Sequence, residues 1–253
     1  MTPLTRPLLM KIVSAFLFCP TLSYAQQNYF NVPSSELTPK NKAFFQQQFN
    51  FFQNGSEYFT TFCYGLGKEA EIGFNILAVT VERSALVFHD YHAPYKPLYT
   101  LNAQKRFYLR KFDVALGGHF GFNRKGKTAA YVYANHINKI PRWKTKILTG
   151  VYYSDYGYHG GKTRNFTTYP AIAGVGFQIG AETNLYKEKW LFQTDYISGY
   201  HIAGTLAAGG AYVANKVHVI SFGYLLPLRD VPALSGFVLE YTFAPLSAEN
   251  NAK

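Results

Sequence analysis

A chain of 253 residues with 21 Tyr and 22 Phe, 48% hydrophobic yet near zero in mean hydropathy, fits neither an ordinary soluble domain nor a bundle of membrane helices. A helical membrane protein would show long apolar runs, and no 20-residue apolar span follows the N-terminal segment. The formal charge is +11, from 25 basic and 14 acidic residues, but the basic residues are dispersed rather than gathered on one helix or patch, which argues against nucleic-acid binding.

Residues 1–25 carry the pattern of a cleaved export signal. Arg6 and Lys11 precede an apolar stretch from Ile12 to Cys19, Pro20 breaks it, and Ser23-Tyr24-Ala25 is a small-x-small site with cleavage expected after Ala25. Cys19 follows Leu17 and Phe18 rather than the small residue of a lipidation site. Cleavage would leave Cys63 as the sole cysteine, so no internal disulfide is expected. Loss of Arg6 and Lys11 takes the charge from +11 to +9, a balance suited to anionic headgroups or anionic solutes, solvated loop lysines being the plainer account. Residues 26–41, with Pro33 and Pro39, have no strand pattern and are expected to form a periplasmic lead-in.

From residue 43 onward the chain alternates in short segments, which puts one residue set on each face of a strand. About twelve strands are predicted, with ten to fourteen allowed: 43–52, 57–66, 71–81, 101–109, 112–122, 128–138, 144–154, 169–181, 189–198, 203–213, 217–226 and 236–243. The first two are joined by Asn54-Gly55, a strong hairpin signal. In the third, Ile72, Phe74, Ile76 and Ala78 share one face.

The predicted connections alternate in length. Those after odd strands include 82–100, 123–127, 155–168 and 227–235; those after even strands are 67–70, 110–111, 139–143, 182–188 and 214–216. Two odd-even links, near Asn54 and Tyr200, are short. An outer-membrane barrel with both termini in the periplasm has this asymmetry, short turns at one end and longer loops at the other. The fold class expected is therefore all-β, a closed antiparallel transmembrane barrel spanning residues 42–243, with residues 244–253 as a polar tail.

The last strand places Phe237, Leu239, Tyr241 and Phe243 on one face, opposite Val238, Glu240 and Thr242. This Tyr-x-Phe ending resembles the C-terminal recognition signal of outer-membrane barrels, although ten residues follow it here. Signal, strands, loop lengths and terminal strand together resemble the broad group of small bacterial outer-membrane β-barrels. The resemblance implies contact with outer-membrane lipid and lipopolysaccharide, and with the barrel-assembly machinery during biogenesis. The stretch Asp195-Tyr196-Ile197-Ser198-Gly199 is similar to one in barrels grouped with aromatic-degradation transporters.

With the aromatic face assigned to lipid, the lumen would receive Asn75, Asn102, Gln104, Arg106, Asp113, His119, Gln178, Gln193, Asp195 and Glu240, with Gly174, Gly176 and Gly180. Of these, Arg106, Asp113, His119, Asp195, Glu240, Gln104 and Gln193 are the pore-lining candidates. They would form either a polar passage or an ion-paired plug satisfying its own buried groups. Trp190, Phe192, Tyr196, Tyr131, Tyr133, Tyr152, Phe120 and Phe122 are expected toward lipid or in interfacial girdles. Arg124, Lys125, Lys127, Lys162 and Arg164 fall in outside loops, where they could meet lipopolysaccharide phosphates or simply be solvated.

No catalytic pattern stands out. His218 and Ser221 are three residues apart, on opposite faces of a strand, and Gly-x-Ser-x-Gly is missing. His119 and Asp113 share a face but lie about 20 Å apart at roughly 3.3 Å per residue. His89, Asp90 and His92 lack a fourth metal ligand, and no cofactor or metal is expected. The expected function is a non-enzymatic channel or uptake barrel for small hydrophilic solutes, anionic ones included. The alternatives are a non-conducting surface-interaction barrel, a lipid hydrolase or acyltransferase assembled from distant strands, and a soluble secreted barrel.

Overall fold

The computed structural model describes residues 28–110, 112–160, 174–215, 217–228 and 233–245. Thirteen strands form among them: β1 (Ala43–Phe52), β2 (Gly55–Gly67), β3 (Ala70–Glu82), β4 (Ala85–Val87), β5 (Leu98–Leu109), β6 (Phe112–Phe122), β7 (Thr128–Ile140), β8 (Thr145–Ser154), β9 (Val175–Tyr186), β10 (Trp190–Ile197), β11 (Thr205–Val213), β12 (His218–Pro227) and β13 (Gly236–Phe243). Successive long strands pair antiparallel, and β1 pairs with β13 from Phe45↔Phe243 to Phe52↔Gly236. Twelve strands thus close into a barrel, and β4 extends β3 as a short hairpin beyond the wall. Closure removes both sheet edges, so the wall's backbone donors and acceptors find partners within it.

The Asn54-containing turn, the two-residue turn at Lys68-Glu69 and the single 3-10 turn Pro141–Trp143 are where the local signals place them. The end holding the start of β1 and the end of β13 carries the short turns. The opposite end carries the longer links, whose described residues include 83–97, 155–160, 198–204 and 233–235.

Alternation decides which side chains face out. Phe74, Leu101, Phe120, Phe122, Val151, Phe177, Trp190, Phe192, Phe222 and Phe237 form an exposed apolar and aromatic belt around the wall. On the inner faces lie Gln46, Gln48, Asn50, Asn75, Gln104, Gln178, Gln193, Asp195 and Glu240, all buried. Gly176 and Gly180 lie on the inner face of β9, whereas Gly174 precedes it at φ +84° in an exposed turn.

Two expectations are corrected. Residues 28–38 do not form a lead-in outside the wall. They run into the lumen, where Tyr29, Phe30 and Val32 are buried. Their lack of strand pattern reflects a segment that pairs with side chains from many strands rather than with one neighbour. Tyr131, Tyr133 and Tyr152 also face inward, each buried, because β7 and β8 put Val132, Val151 and Tyr153 on the outer face. A tyrosine ring is as much at home on a polar lumen as on lipid when its hydroxyl finds a partner. Tyr131 donates to Gln178 Oε1 at 2.6 Å and Tyr133 to Gln104 Oε1 at 2.5 Å.

Tyr152 pairs across the ladder with Gly176, and the hydroxyl end of its ring lies over that glycine: a Cβ there would fall 2.5 Å from ring carbon Cζ. Gly176→Val is therefore expected to cost about 1–3 kcal/mol through overpacking, read as a lower urea midpoint for loss of the heat-modifiable folded band on gels. An unchanged midpoint would show that the ring is free to move aside.

Candidate functional site

The lumen is organised around the entering N-terminal segment. Asn41 donates to the Gly65 carbonyl at 2.9 Å, and the chain turns inward from there. Thr38 N–H donates to Glu71 Oε2 at 2.6 Å. Glu36 is held by Lys146 at 2.9 Å and Lys139 at 3.5 Å, while Lys146 also meets Glu182 at 3.2 Å. Deeper in, Asn135 Nδ2 donates to the Pro33 carbonyl at 2.6 Å. Its own Oδ1 accepts from Gln178 Nε2 at 2.6 Å, which links the plug to the Tyr131 hydroxyl on the far side of Gln178.

The innermost anchor is Asp195. Its Oδ2 accepts the Asn31 N–H at 2.5 Å and the Val32 N–H at 3.0 Å. Hydrogen bonds to an ionised acceptor are among the stronger ones, and here both donors are backbone groups that would otherwise be buried without partners. The segment then folds back in a tight turn, with Tyr29 N–H on the Val32 carbonyl at 3.0 Å. Tyr29 packs against Tyr131, Tyr133, Leu148, Tyr152 and Ile197 and fills the space left by Gly180, while Phe30 packs against Ala207, Leu225 and Val238.

The other end of the lumen is capped by loops. Asp155 begins a one-turn helix, α1 (Tyr156–His159): its Oδ1 accepts the Tyr158 N–H at 2.9 Å and its Oδ2 the Ala130 N–H at 2.8 Å. Tyr95 N–H donates to the Gly157 carbonyl, and Ile202 N–H to the His159 carbonyl, which ties three loops together. Beneath them the His159 and His201 rings stack with centroids 4.4 Å apart. His159 Nδ1 lies 2.9 Å from Ser154 Oγ, and His201 Nε2 lies 2.6 Å from the Tyr152 hydroxyl. His119 Nδ1 meets the Tyr158 hydroxyl at 2.6 Å. Burial pushes His159 well below the ordinary histidine range and His201 down to about 4, so both rings are neutral at pH 7.

Between plug and cap lies a cavity of about 180 Å³, bounded by Phe30, Leu98, Tyr95, Tyr158, Ile197 and Leu225 among others. One side of it is the inner face of β1, Gln46, Gln48 and Asn50, and its rim carries the ion pair of Lys96 with Glu57.

The pore-lining candidates fall in different places. Arg106 sits near the short-turn end, donating from Nε to Glu69 at 2.7 Å with Asp113 3.9 Å away, and Asp113 also meets His136 at 3.1 Å. Gln104 and Gln193 bind Tyr133 and Glu182. Glu240 accepts from Thr242 at 3.2 Å. His119 alone of the seven borders the cavity. Among the loop cations, Arg124 lies over the Phe88 ring at 3.5 Å and donates to Asp90 at 2.5 Å, which holds that carboxyl below its usual range, while Lys125 and Lys127 are exposed. Asp90, considered with His89 and His92 for a metal, is thus occupied by a guanidinium. Lys162 and Arg164 lie outside the described residues.

Sequence reasoning missed the plug, the inner face of β1 and the Ser154–His159 contact. The second was legible, since Phe45, Phe49 and Phe51 alternate with Gln46, Gln48 and Asn50. The plug joins residues through tertiary packing, and Ser154 meets His159 only because the one-turn helix α1 folds the chain back over five residues.

The plug anchor has a direct readout in Cys63, buried on the inner wall beside Asn28 and Pro33. Asp195→Ala removes two hydrogen bonds to a charged acceptor, about 1.5–3 kcal/mol each. Maleimide labelling of Cys63, followed by peptide mass, is expected to speed up about tenfold or more; equal rates would mean that Asp195 does not hold the plug. The neutral histidines set a pH dependence. Below pH 6.5 the unfolded chain takes up protons that folded His201 refuses until about pH 4, so stability is full above 6.5 and falls through that window. The double variant His159→Gln, His201→Gln is expected to flatten the fall in urea midpoint between pH 6.5 and 4.

No protein-family model matches this chain, and the search of curated proteins finds no match either.

Proposed function

We propose that this chain is a plugged outer-membrane barrel that admits a small solute to its lumen and passes it when the N-terminal segment moves. The observation that carries this reading is the plug itself: residues 28–38 fill the lumen through polar contacts to Asp195, Glu71, Asn135 and Lys146, rather than through strand pairing. Such contacts can be exchanged for water or solute without breaking the wall's ladder. The exposed apolar belt supports placement in a bilayer, since soluble proteins rarely leave so continuous a surface uncovered. In that setting the short-turn end faces the periplasm, Lys125 and Lys127 meet lipopolysaccharide phosphates, and β13 is the strand engaged by the assembly machinery. The reading is non-enzymatic. Ser154 and His159 are in contact but lie under the cap, with Asp155 committed to α1 and Ala130.

The test is conductance of refolded protein in planar bilayers. The wild-type chain is expected to be mostly silent and Asp195→Ala to give discrete steps, with Arg106→Gln in that background shifting the reversal potential toward cations. A folded Asp195→Ala protein that stays silent would favour a non-conducting barrel presenting its long loops.

A further inference from the structure

We infer that the cavity between plug and cap is a binding site for an uncharged molecule about the size of one six-membered ring, bearing a single carbonyl or hydroxyl oxygen that meets Gln46. The inference rests on the reading of the lumen as a solute compartment and names the chemistry the compartment selects.

Size comes first. A dry protein cavity of 150 Å³ holds benzene, and this one, at about 180 Å³, has room for a ring with one or two further heavy atoms. Its apolar boundary is contributed by the plug (Phe30), the wall (Leu98, Ile197, Leu225) and the cap (Ile202). Burying a ring against such a boundary is favourable at about 25 cal/mol per Å².

Charge comes second. The formal charges at the rim are Lys96 and Glu57, joined to each other in an ion pair. The neighbouring histidines, His119 and His159, have their Nδ1 atoms on Tyr158 and Ser154. An anion or cation entering the cavity would lose its water without gaining a free counter-charge, a cost an uncharged molecule avoids.

The polar contact comes third. On the inner face of β1, Gln48 Nε2 donates to Asn50 Oδ1 at 2.9 Å, and Gln46 Oε1 accepts from Asn28 Nδ2 at 2.7 Å. That leaves Gln46 Nε2 without a partner among the described residues, although Gln46 is 2% exposed and borders the cavity. Buried donors in folded proteins are almost always satisfied. An oxygen on the ring, placed in the cavity beside Gln46, would satisfy this one, and Asn28 from the plug orients the amide that receives it. The ligand would therefore touch plug, wall and cap together.

Three probes matched in size separate these features: cyclohexanone, methylcyclohexane and cyclohexanecarboxylate. Each is titrated by saturation-transfer NMR against the full chain in nanodiscs, with folding checked by heat-modifiable mobility. Cyclohexanone is expected to bind at least about tenfold more tightly than the carboxylate. Gln46→Leu is expected to weaken cyclohexanone by about three- to tenfold, the worth of one hydrogen bond, and to leave methylcyclohexane unchanged. Ala203→Trp, which fills the cavity from a loop, should abolish saturable binding of both and so corrects for partition into lipid. Equal binding by wild type and Ala203→Trp, or an unchanged cyclohexanone-to-methylcyclohexane ratio in Gln46→Leu, would overturn the inference. Binding with no conductance in any variant would support the site while removing the passage reading. Conductance with no saturable binding would overturn the site and leave that reading standing.

Discussion

The pairing of β1 with β13 is the constraint on which everything else depends. Once the first and last strands exchange hydrogen bonds, the wall has no edge and every strand must send alternate side chains into a common lumen. Half of each strand then faces a confined interior, whatever its chemistry. Polar groups there cannot all reach bulk water, and an unsatisfied buried amide or carboxylate is costly. The interior therefore needs partners that the wall by itself does not provide.

The N-terminal segment supplies many of them. It brings two backbone N–H groups to Asp195, a carbonyl to Asn135, a carboxylate to Lys146 and Lys139, and an N–H to Glu71. Segment and wall each carry groups that the other completes, so acids, an amide and lysines from β3, β7, β8 and β10 become a single polar layer. Tyr29 and Phe30 add apolar contacts on opposite sides of the lumen, one among tyrosines and one beside Ala207 and Leu225. The plug is thus held by a mixture of polar exchange and ring packing, and neither commits it to a strand.

The cap at the other end is built differently. Asp155, Tyr95 and Ile202 tie three loops together largely through backbone groups, and the histidines beneath are kept neutral by burial. Plug and cap leave between them a space whose boundary is mostly apolar and whose open donors among the described residues include Gln46 Nε2 on β1. A lumen rich in charge as a set of residues is, at its unfilled part, almost without available charge. Arg106, Asp113, Lys146 and Glu36 lie toward the short-turn end and are paired there.

By itself the sequence determined the wall. Period-two alternation, turn chemistry at Asn54-Gly55 and the inequality of the two loop sets are local properties, and they carried the strand number, the antiparallel order and the facing of residues such as Asp195, Gln193 and Glu240. Alternation assigns sets to faces, but it does not say which set faces the lumen when both contain aromatic rings. Tyr131, Tyr133 and Tyr152 were misplaced for that reason; Gln178 on β9, Gln104 on β5 and the Ser198 carbonyl just past β10, none of them on an adjacent strand, are what draw their hydroxyls inward. Only the tertiary structure decided where residues 28–38 go, because their partners come from strands as far apart as β3 and β10 and leave no periodicity in the segment. It likewise decided that Arg106 meets Asp113 while Asp195 is taken up by the plug and Glu240 by Thr242, and that the open space lies elsewhere, beside Gln46. Contacts between residues more than a hundred positions apart, such as Asn135 with Pro33 and Asp195 with Asn31, exist only once the barrel has closed around them.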